Sequence, residues 1–448
     1  MGYIRRTWIP FAMVTVACLA AAPAANAAFG FQGLSASPAN TNAGANSDFN
    51  VHIGFTSPTD DVKDLIVALP PGLVGDPTVT PLCTMAQLQA DSCPAGSQVG
   101  TVSTSADAHL LNPLPLTVPL TVDGSLYNVE PAAGQPARFG IVLRPVGSAP
   151  LPLLDKIVQV SDVQLRKSDF GLNTVLSDIP NVAHAAGGGA SVPIDITAID
   201  IHLNGTVGGQ GFMRNPTSCG SKTTRFIADS HANPTRKVFG QATFTSANCA
   251  ALPFSPAFKA SVGAAGFTQA NRQPPVKTQI LQDAGEAGLK DAQVLVPQSL
   301  NPDPGPLANP CPLAKFRTNA WTCPTQSIVG FARAISPLLS AEETGAVVVV
   351  PGARPGDLPR LGVDLRGPLS IQLFGEFVFA QAGIGQVFHG LPDIPISNFV
   401  LQFKRNGLLG NSRNICQPPR LIFQTAFTGW NGATRSGNVA ATLQGCPA

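Results

Sequence analysis

The sequence predicts an all-β protein of two tandem, duplicated β-sandwich-like domains, each stapled by two disulfides. Three observations lead there. One block occurs twice: Lys63-Asp64, Val67, Leu69-Pro70, Cys83, Cys93-Pro94, Ser97 and Val99-Gly100 return in the same order as Lys290-Asp291, Val294, Val296-Pro297, Cys311, Cys323-Pro324, Ser327 and Val329-Gly330. The chain carries 44 Gly and 42 Pro beside 44% hydrophobic residues, the mixture expected of short strands and turns around a core. Only 12% of residues are charged, too few to give long helices their solvated faces.

At 448 residues the chain is too long for one ordinary domain, and two internal copies favour two units. Residues 1–27 read as a secretory signal. Arg5 and Arg6 precede an apolar run from Trp8 to Leu19, and Ala25-Asn26-Ala27 supplies small residues for cleavage near Ala27. Val16-Ala17-Cys18 only partly matches a lipoprotein box, because Thr15 stands where Leu is expected; soluble export is the expectation and lipidation of Cys18 the alternative. Without Arg5 and Arg6, 26 of the 28 basic residues remain against 26 acidic ones, so the field of the exported chain favours neither nucleic acid nor an anionic membrane. No later stretch approaches the roughly 18 apolar residues of a spanning helix. The expected location is outside the cytoplasm, secreted or associated with the cell surface.

Residues 28–257 form the first expected β-rich domain and residues 258–448 the second. Phe49, Val51, Ile53 and Phe55 alternate with polar positions, as a half-buried strand requires. A strand follows from Lys63 to Leu69, and Pro70-Pro71-Gly72 stops it because proline has no ladder donor. Thr84 with Gln87 offers a capping box and Leu88 an apolar anchor, predicting a helical turn or two inside the first cysteine loop. A strand resumes from Ser97 to Ser105. Arg138-Phe139-Gly140-Ile141-Val142-Leu143-Arg144 is echoed by Arg360-Leu361-Gly362-Val363-Asp364-Leu365-Arg366, and Val192 to Gly205 corresponds loosely to Ile394 to Gly407. Strands at Thr223 to Ile227 and Val238 to Thr245, then Leu421 to Thr428 and Asn438 to Leu443, predict a hairpin ending each unit. Asn431-Gly432 is the turn signal of the second.

Eight cysteines remain after residue 27, an even number for an oxidising compartment. Their spacing suggests Cys83 with Cys93, Cys219 with Cys249, Cys311 with Cys323 and Cys416 with Cys446, the simplest pairing that gives each unit one short loop and one long one. There is no CxxC pair to suggest metal or redox chemistry.

The landmarks Leu69-Pro70-Pro71-Gly72-Leu73-Val74-Gly75-Asp76-Pro77, Cys93-Pro94 with Ser97-Gln98-Val99-Gly100, and Arg214-Asn215-Pro216-Thr217-Ser218-Cys219 resemble those of a group of exported β-rich bacterial proteins, mostly from high-GC Gram-positive lineages. The resemblance covers most of the first unit. The second unit departs from it, with Gln298-Ser299 in place of Pro-Gly and Arg413-Asn414-Ile415 before Cys416. It implies export and repetition and adds no catalytic residues.

No nucleophile elbow, zinc helix, phosphate loop or EF-hand pattern is present, and no cofactor is expected. His52, His109, His184, His202, His231 and His389 are scattered. Asp200, His202 and Asn204 share one strand face, which a polar solvent face explains as well as a site does. Gly187-Gly188-Gly189 and Gly208-Gly209-Gln210-Gly211 read as loop glycines because no helix pattern follows. Asp60, Asp61 and Asp64, and Asp283 with Glu286, lack the ligand count of a calcium site and read as solvated loops. Trp321 and Trp430 are the candidate binding contacts, because flat rings with polar edges suit sugar faces; both lie where the two units differ. The leading expectation is a non-enzymatic structural or adhesive component of the cell envelope or extracellular space, whose partner is an envelope glycan or protein. The alternatives are a glycan- or lipid-binding protein with contacts in the second unit, and a secreted hydrolase with an unfamiliar site.

Overall fold

The computed structural model describes Gly2 and residues 29–447, except 57–59, 111–114, 147–152, 188–190 and 382. The expected signal, its cleavage point near Ala27 and Cys18 therefore lie outside the described residues, as do Gly188 and Gly189.

In chain order the main strands of the first unit are β1 (Phe31–Pro38), β2 (Phe49–Phe55), β3 (Val62–Ala68), β4 (Gln98–Leu110), β5 (Leu116–Val129), β6 (Ala137–Leu143), β7 (Ile157–Leu165), β8 (Leu172–Leu176), β9 (Ser191–Leu203), β10 (Gly220–Ser230) and β11 (Val238–Ser246). Those of the second are β12 (Ala257–Val262), β13 (Val276–Leu281), β14 (Leu289–Leu295), β15 (Ile328–Ile335), β16 (Glu343–Val350), β17 (Arg360–Arg366), β18 (Ser370–Ala380), β19 (Gly383–Phe388), β20 (Asn398–Phe403), β21 (Ile422–Gly429) and β22 (Thr434–Ala440). The first sheet runs β1-β2-β9-β4-β5-β6-β7-β8-β3-β10-β11 and the second β12-β13-β20-β15-β16-β17-β18-β19-β14-β21-β22. The two orders match strand for strand, so the duplication embraces the whole topology and not only the cysteine block.

Each sheet curls until its ends approach, which leaves little edge for another chain to pair with. In the first unit the position of a Cβ on Gly240 of β11 lies 2.3 Å from Leu34 of β1. In the second, Thr442–Leu443 pairs in parallel with Ser261 and Val262 of β12 and closes the gap. The expected strand from Asn438 to Leu443 is thus divided: its first part completes the hairpin with β21, and after a break at Ala441 its end serves the sheet closure. Asn431 Oδ1 accepts from the Ala433 amide, and Gly432 alone of the pair has a positive φ, 84°, so the hairpin turns on a left-handed glycine and not on the two-residue Asn-Gly turn, in which both residues take positive φ.

The four disulfides join Cys83–Cys93, Cys219–Cys249, Cys311–Cys323 and Cys416–Cys446. The short loops lie on the outer face of their sheets, each over a small second core. In the first, Thr84 and Gln87 form the reciprocal capping box of the Met85–Ala90 helix, and Leu88 packs with Cys83, Tyr127, Val129 and Val142. In the second, Phe316 of the Leu313–Thr318 helix packs with Cys311, Cys323, Ala346, Val348 and Val350. Gly140 and Gly362 explain the echoed Arg-x-Gly stretch. A Cβ at either would come within 2.6 Å of the helix anchor, Leu88 or Phe316, so only glycine lets the helix lie down on the strand. The arginine ending each stretch then clamps the helix C-terminus: Arg144 donates to both carboxylate oxygens of Asp91, and Arg366 donates to the Thr318 carbonyl at 2.6 Å.

Candidate functional site

The interior of each curled sheet is apolar, because alternate residues of the same strands face inward. In the second unit Val276, Ile280, Ala292, Val294, Ala334, Leu365, Ile371, Leu401, Phe403 and Phe423 surround a cavity. Its non-atom space is about 1330 Å³ with the mouth included, of which about 140 Å³ accepts the centre of a water-sized sphere. A second cavity, of about 1330 Å³ and 120 Å³ by the same measures, lies in the first unit among Phe49, Val51, Val67, Phe139, Ile141, Val163, Leu203 and Phe212. A third, of about 60 Å³ by the smaller measure, occupies the far end of that unit beside Val102, Val122, Leu154 and Ile194.

The cavities meet end to end. Ile141 and Leu176 border both cavities of the first unit. Ser336, Leu339, Ile371, Pro392 and Ile394, all from the second unit, border its own cavity and the neighbouring one of the first. Three apolar cavities therefore lie in series through both units, neighbours parted by the side chains they share. Among the described residues no Lys, Arg or His lines any of the three cavities, and Glu343 is the one ionisable lining residue.

The junction that aligns the cavities is built on Asp393, which is 6% exposed. Its carboxylate accepts from the Thr217 amide at 2.9 Å and from the Thr217 hydroxyl, which in turn accepts from the Gly288 amide at 3.0 Å. Burial raises the Asp393 carboxyl above its usual range, while the two bonds from Thr217 and the nearby Arg214 and Lys222 pull it back. The Arg214 guanidinium donates to the Glu286 carbonyl at 2.8 Å, and Thr78 Oγ1, which donates to Asp76 Oδ1 at 2.6 Å, lies 3.2 Å from the Pro337 carbonyl. Burial also depresses Arg214 and Lys222. Gly72 closes the contact from another side: its φ is 86°, and a Cβ there would fall 2.5 Å from Asp393 Oδ2. Two of the sequence landmarks, Pro70-Pro71-Gly72 and Asn215-Pro216-Thr217, therefore converge on one carboxylate of the other unit.

The sequence candidates fall elsewhere. Trp430 is half-buried, donates its indole N–H to the Leu391 carbonyl at 2.9 Å, and lies under the Lys290 ammonium at 5.4 Å. Trp321 is 56% exposed on the short Ala320–Thr322 turn beside Cys323. The structure does not bring the two together into one site. His202 pairs with Asn50 and His52 with Asp200, both at 2.7 Å, as cross-strand contacts on an exposed face. Gly208 and Gly209 turn a two-residue hairpin with positive φ. Among the described residues no group of three or more His, Cys, Asp or Glu is placed to hold a metal.

Glu286 corrects the expectation of a solvated loop. It is 6% exposed and accepts from the Ser255 amide and hydroxyl, because the chain between the units folds back over it. Asp61 is likewise drawn inward, and burial together with the adjacent Asp195 raises its pKa to about 6. The junction draws on two of the sequence landmarks, but the apolar residues that line the cavities are indistinguishable in sequence from ordinary core. Among the described residues no helix is long and apolar enough to cross a membrane.

No family model and no curated protein matches the chain. Among solved structures the chain is similar to a Corynebacterium diphtheriae protein described as membrane anchored, at 9% identity over 91% of this chain and 89% of that one, with a TM-score of 0.19. It is also similar to the B domain of a biofilm-associated protein, at 9% identity over 92% of this chain and 84% of that one, with a TM-score of 0.17. Scores at this level carry no argument about what this chain does.

Proposed function

We propose that this is an exported, non-enzymatic protein that binds an apolar ligand of the lipid class inside its two β-domains. The observation that carries the reading is the end-to-end series of apolar cavities through both units. Binding sites for small molecules are concave, mostly apolar and furnished with few polar groups, and these cavities have that character. Each methylene withdrawn from water contributes about 0.8 kcal/mol, so about ten of them supply about 8 kcal/mol before the costs of ordering. The absence of cationic lining residues supports an uncharged ligand over a fatty acid or a phospholipid head, whose anion would enter a low-dielectric space without a partner. Four disulfides suit such a protein to an oxidising compartment at the cell envelope or beyond it.

The test is titration of the purified protein with aminoanthracene, an uncharged fluorophore that brightens in apolar surroundings. Saturable binding that dodecanol displaces is expected. Ala334→Phe, which places a ring in the cavity of the second unit, should lower that binding at least tenfold while the fold persists. Linear, unsaturable fluorescence, or full binding by the cavity-filled variant, would count against the proposal.

A structural or adhesive role in the envelope is favoured by one feature, the rigid junction. A multiply bonded contact around a buried carboxylate suits a spacer that holds two units in fixed alignment. Retention of the Thr217→Val variant on isolated envelopes, compared with the unchanged protein, tests this second reading.

A further inference from the structure

The cavity of the second unit is bordered by an ionisable side chain, and among the described residues neither cavity of the first unit is; buried polar atoms without hydrogen-bond partners border cavities of both units, Asn128 Oδ1 and Ser161 Oγ in the first. Glu343 opens β16, is 2% exposed and borders the cavity. Its Oε1 accepts from the Leu369 amide at 2.7 Å, while Oε2 is buried without a hydrogen-bond partner. A buried carboxyl oxygen left unpaired costs about 1–3 kcal/mol or more, so its retention calls for a reason. Gln386 Oε1, bordering the same cavity, is also buried and unpartnered.

The matching position of the first unit carries no such group. β5 pairs with β6 so that Val129 faces Arg138, and β16 pairs with β17 so that Val350 faces Arg360. Counting back along both strands places Glu343 opposite Val122, which borders the third cavity. The apolar wall is thus common to both units and the carboxyl belongs to the second alone.

We propose that Glu343 receives the polar end of an amphipathic ligand whose head is an uncharged hydroxyl, such as a long-chain alcohol or an acylglycerol. This rests on the lipid-binding reading above and specifies its head group. Glu343 is buried, and burial raises its carboxyl above the ordinary glutamate range. With Oε1 already accepting from Leu369, Oε2 is the oxygen left for the ligand. A hydroxyl both donates and accepts, so it can pair with Oε2 in either protonation state of the carboxyl. A carboxylate head would bring a second acid beside Glu343 with no cation lining the cavity among the described residues, and an alkane would leave Oε2 unpaired.

The experiment is displacement of aminoanthracene by dodecanol, dodecanoate and dodecane, on the unchanged protein and on Glu343→Leu and Glu343→Gln. Dodecanol is expected to displace best from the unchanged protein. Glu343→Leu should weaken dodecanol about tenfold, the loss of one buried hydrogen bond, without weakening dodecane. Glu343→Gln should hold dodecanol within about threefold, since an amide can still pair with a hydroxyl. The head-group assignment is overturned, with the lipid reading intact, if all three ligands displace but dodecanol is indifferent to both substitutions, or if dodecanoate displaces best. Failure of all three ligands on the unchanged protein would overturn both.

Discussion

Thr217 is the residue on which the two units meet, and its consequences can be measured. It supplies two of the hydrogen bonds to the buried Asp393 carboxylate and receives a third from Gly288. Thr217→Val keeps the shape but removes the hydroxyl, leaving a buried carboxylate and a buried amide short of partners. We expect a loss of about 2–4 kcal/mol in denaturant unfolding, and Thr217→Ser should recover most of it. Asp61 offers a test by pH. Its pKa is raised to about 6 by burial first and by Asp195 second, so the folded state holds its proton more tightly than the unfolded chain does. The sign follows: this carboxyl is neutral in both states below about pH 4, it costs stability progressively as pH rises toward 6, and the cost is constant above that. Asp61→Asn should therefore leave Tm unchanged near pH 4 and raise it relative to the unchanged protein above pH 6. An equal shift at both pH values would contradict the assignment. None of these roles was legible in the sequence. Thr217 and Gly72 stood out within landmarks, but nothing in the chain pointed from them to Asp393, which immediately precedes the loosely repeated stretch from Ile394 to Gly407.

At the scale of elements the sequence was far more informative, because local rules decide local structure. The capping box of Thr84 and Gln87, the Asn431-Gly432 turn, and the strand broken by Pro70-Pro71 each depend on neighbouring residues and can be read in place. The repeated block also has a physical explanation for each recurring residue. Ser97 and Ser327 donate their hydroxyls to the Pro94 and Pro324 carbonyls at 2.6 and 2.7 Å, closing the turn that follows each short disulfide. Gly100 and Gly330 lie against the neighbouring strand so closely that a Cβ would be 2.1 Å from the His202 or Gln402 carbonyl oxygen. Gly100→Ala or Gly330→Ala must displace backbone. We expect several kcal/mol of destabilisation, about 3 or more, or failure to fold, as judged by thermal unfolding. Removing the Cys311–Cys323 bond should cost less dramatically, about 3 kcal/mol from the freed short loop. What sequence periodicity could not give was the pairing order. The block connects β3 to β4, yet these strands are not neighbours in the sheet, and such crossings leave no local trace.

For the whole molecule, the duplication visible in the chain fixed expectations of two stapled β-units, and both sheets have the same strand order. The series of cavities was not legible. Residues such as Val294, Ala334 and Phe403 alternate as any buried strand face does, and whether facing side chains meet or leave space depends on how far the sheet curls. The exposed Trp321 and the half-buried Trp430 are legible differences between the units, but they stand apart from the cavities. The difference with the clearest chemical consequence is instead Glu343 opposite Val122, one acid in a wall otherwise free of charge. A neutral lipid is proposed to occupy the cavity of the second unit with its head at Glu343. The most direct test is a crystal structure of the protein with bromododecanol, in which anomalous scattering locates the bromine at the tail and density locates the hydroxyl. The account predicts bromine inside the apolar cavities and the hydroxyl within hydrogen-bond distance of Glu343 Oε2. Bromine found only on the outer face of the sheets, or a hydroxyl turned away from Glu343, would contradict it.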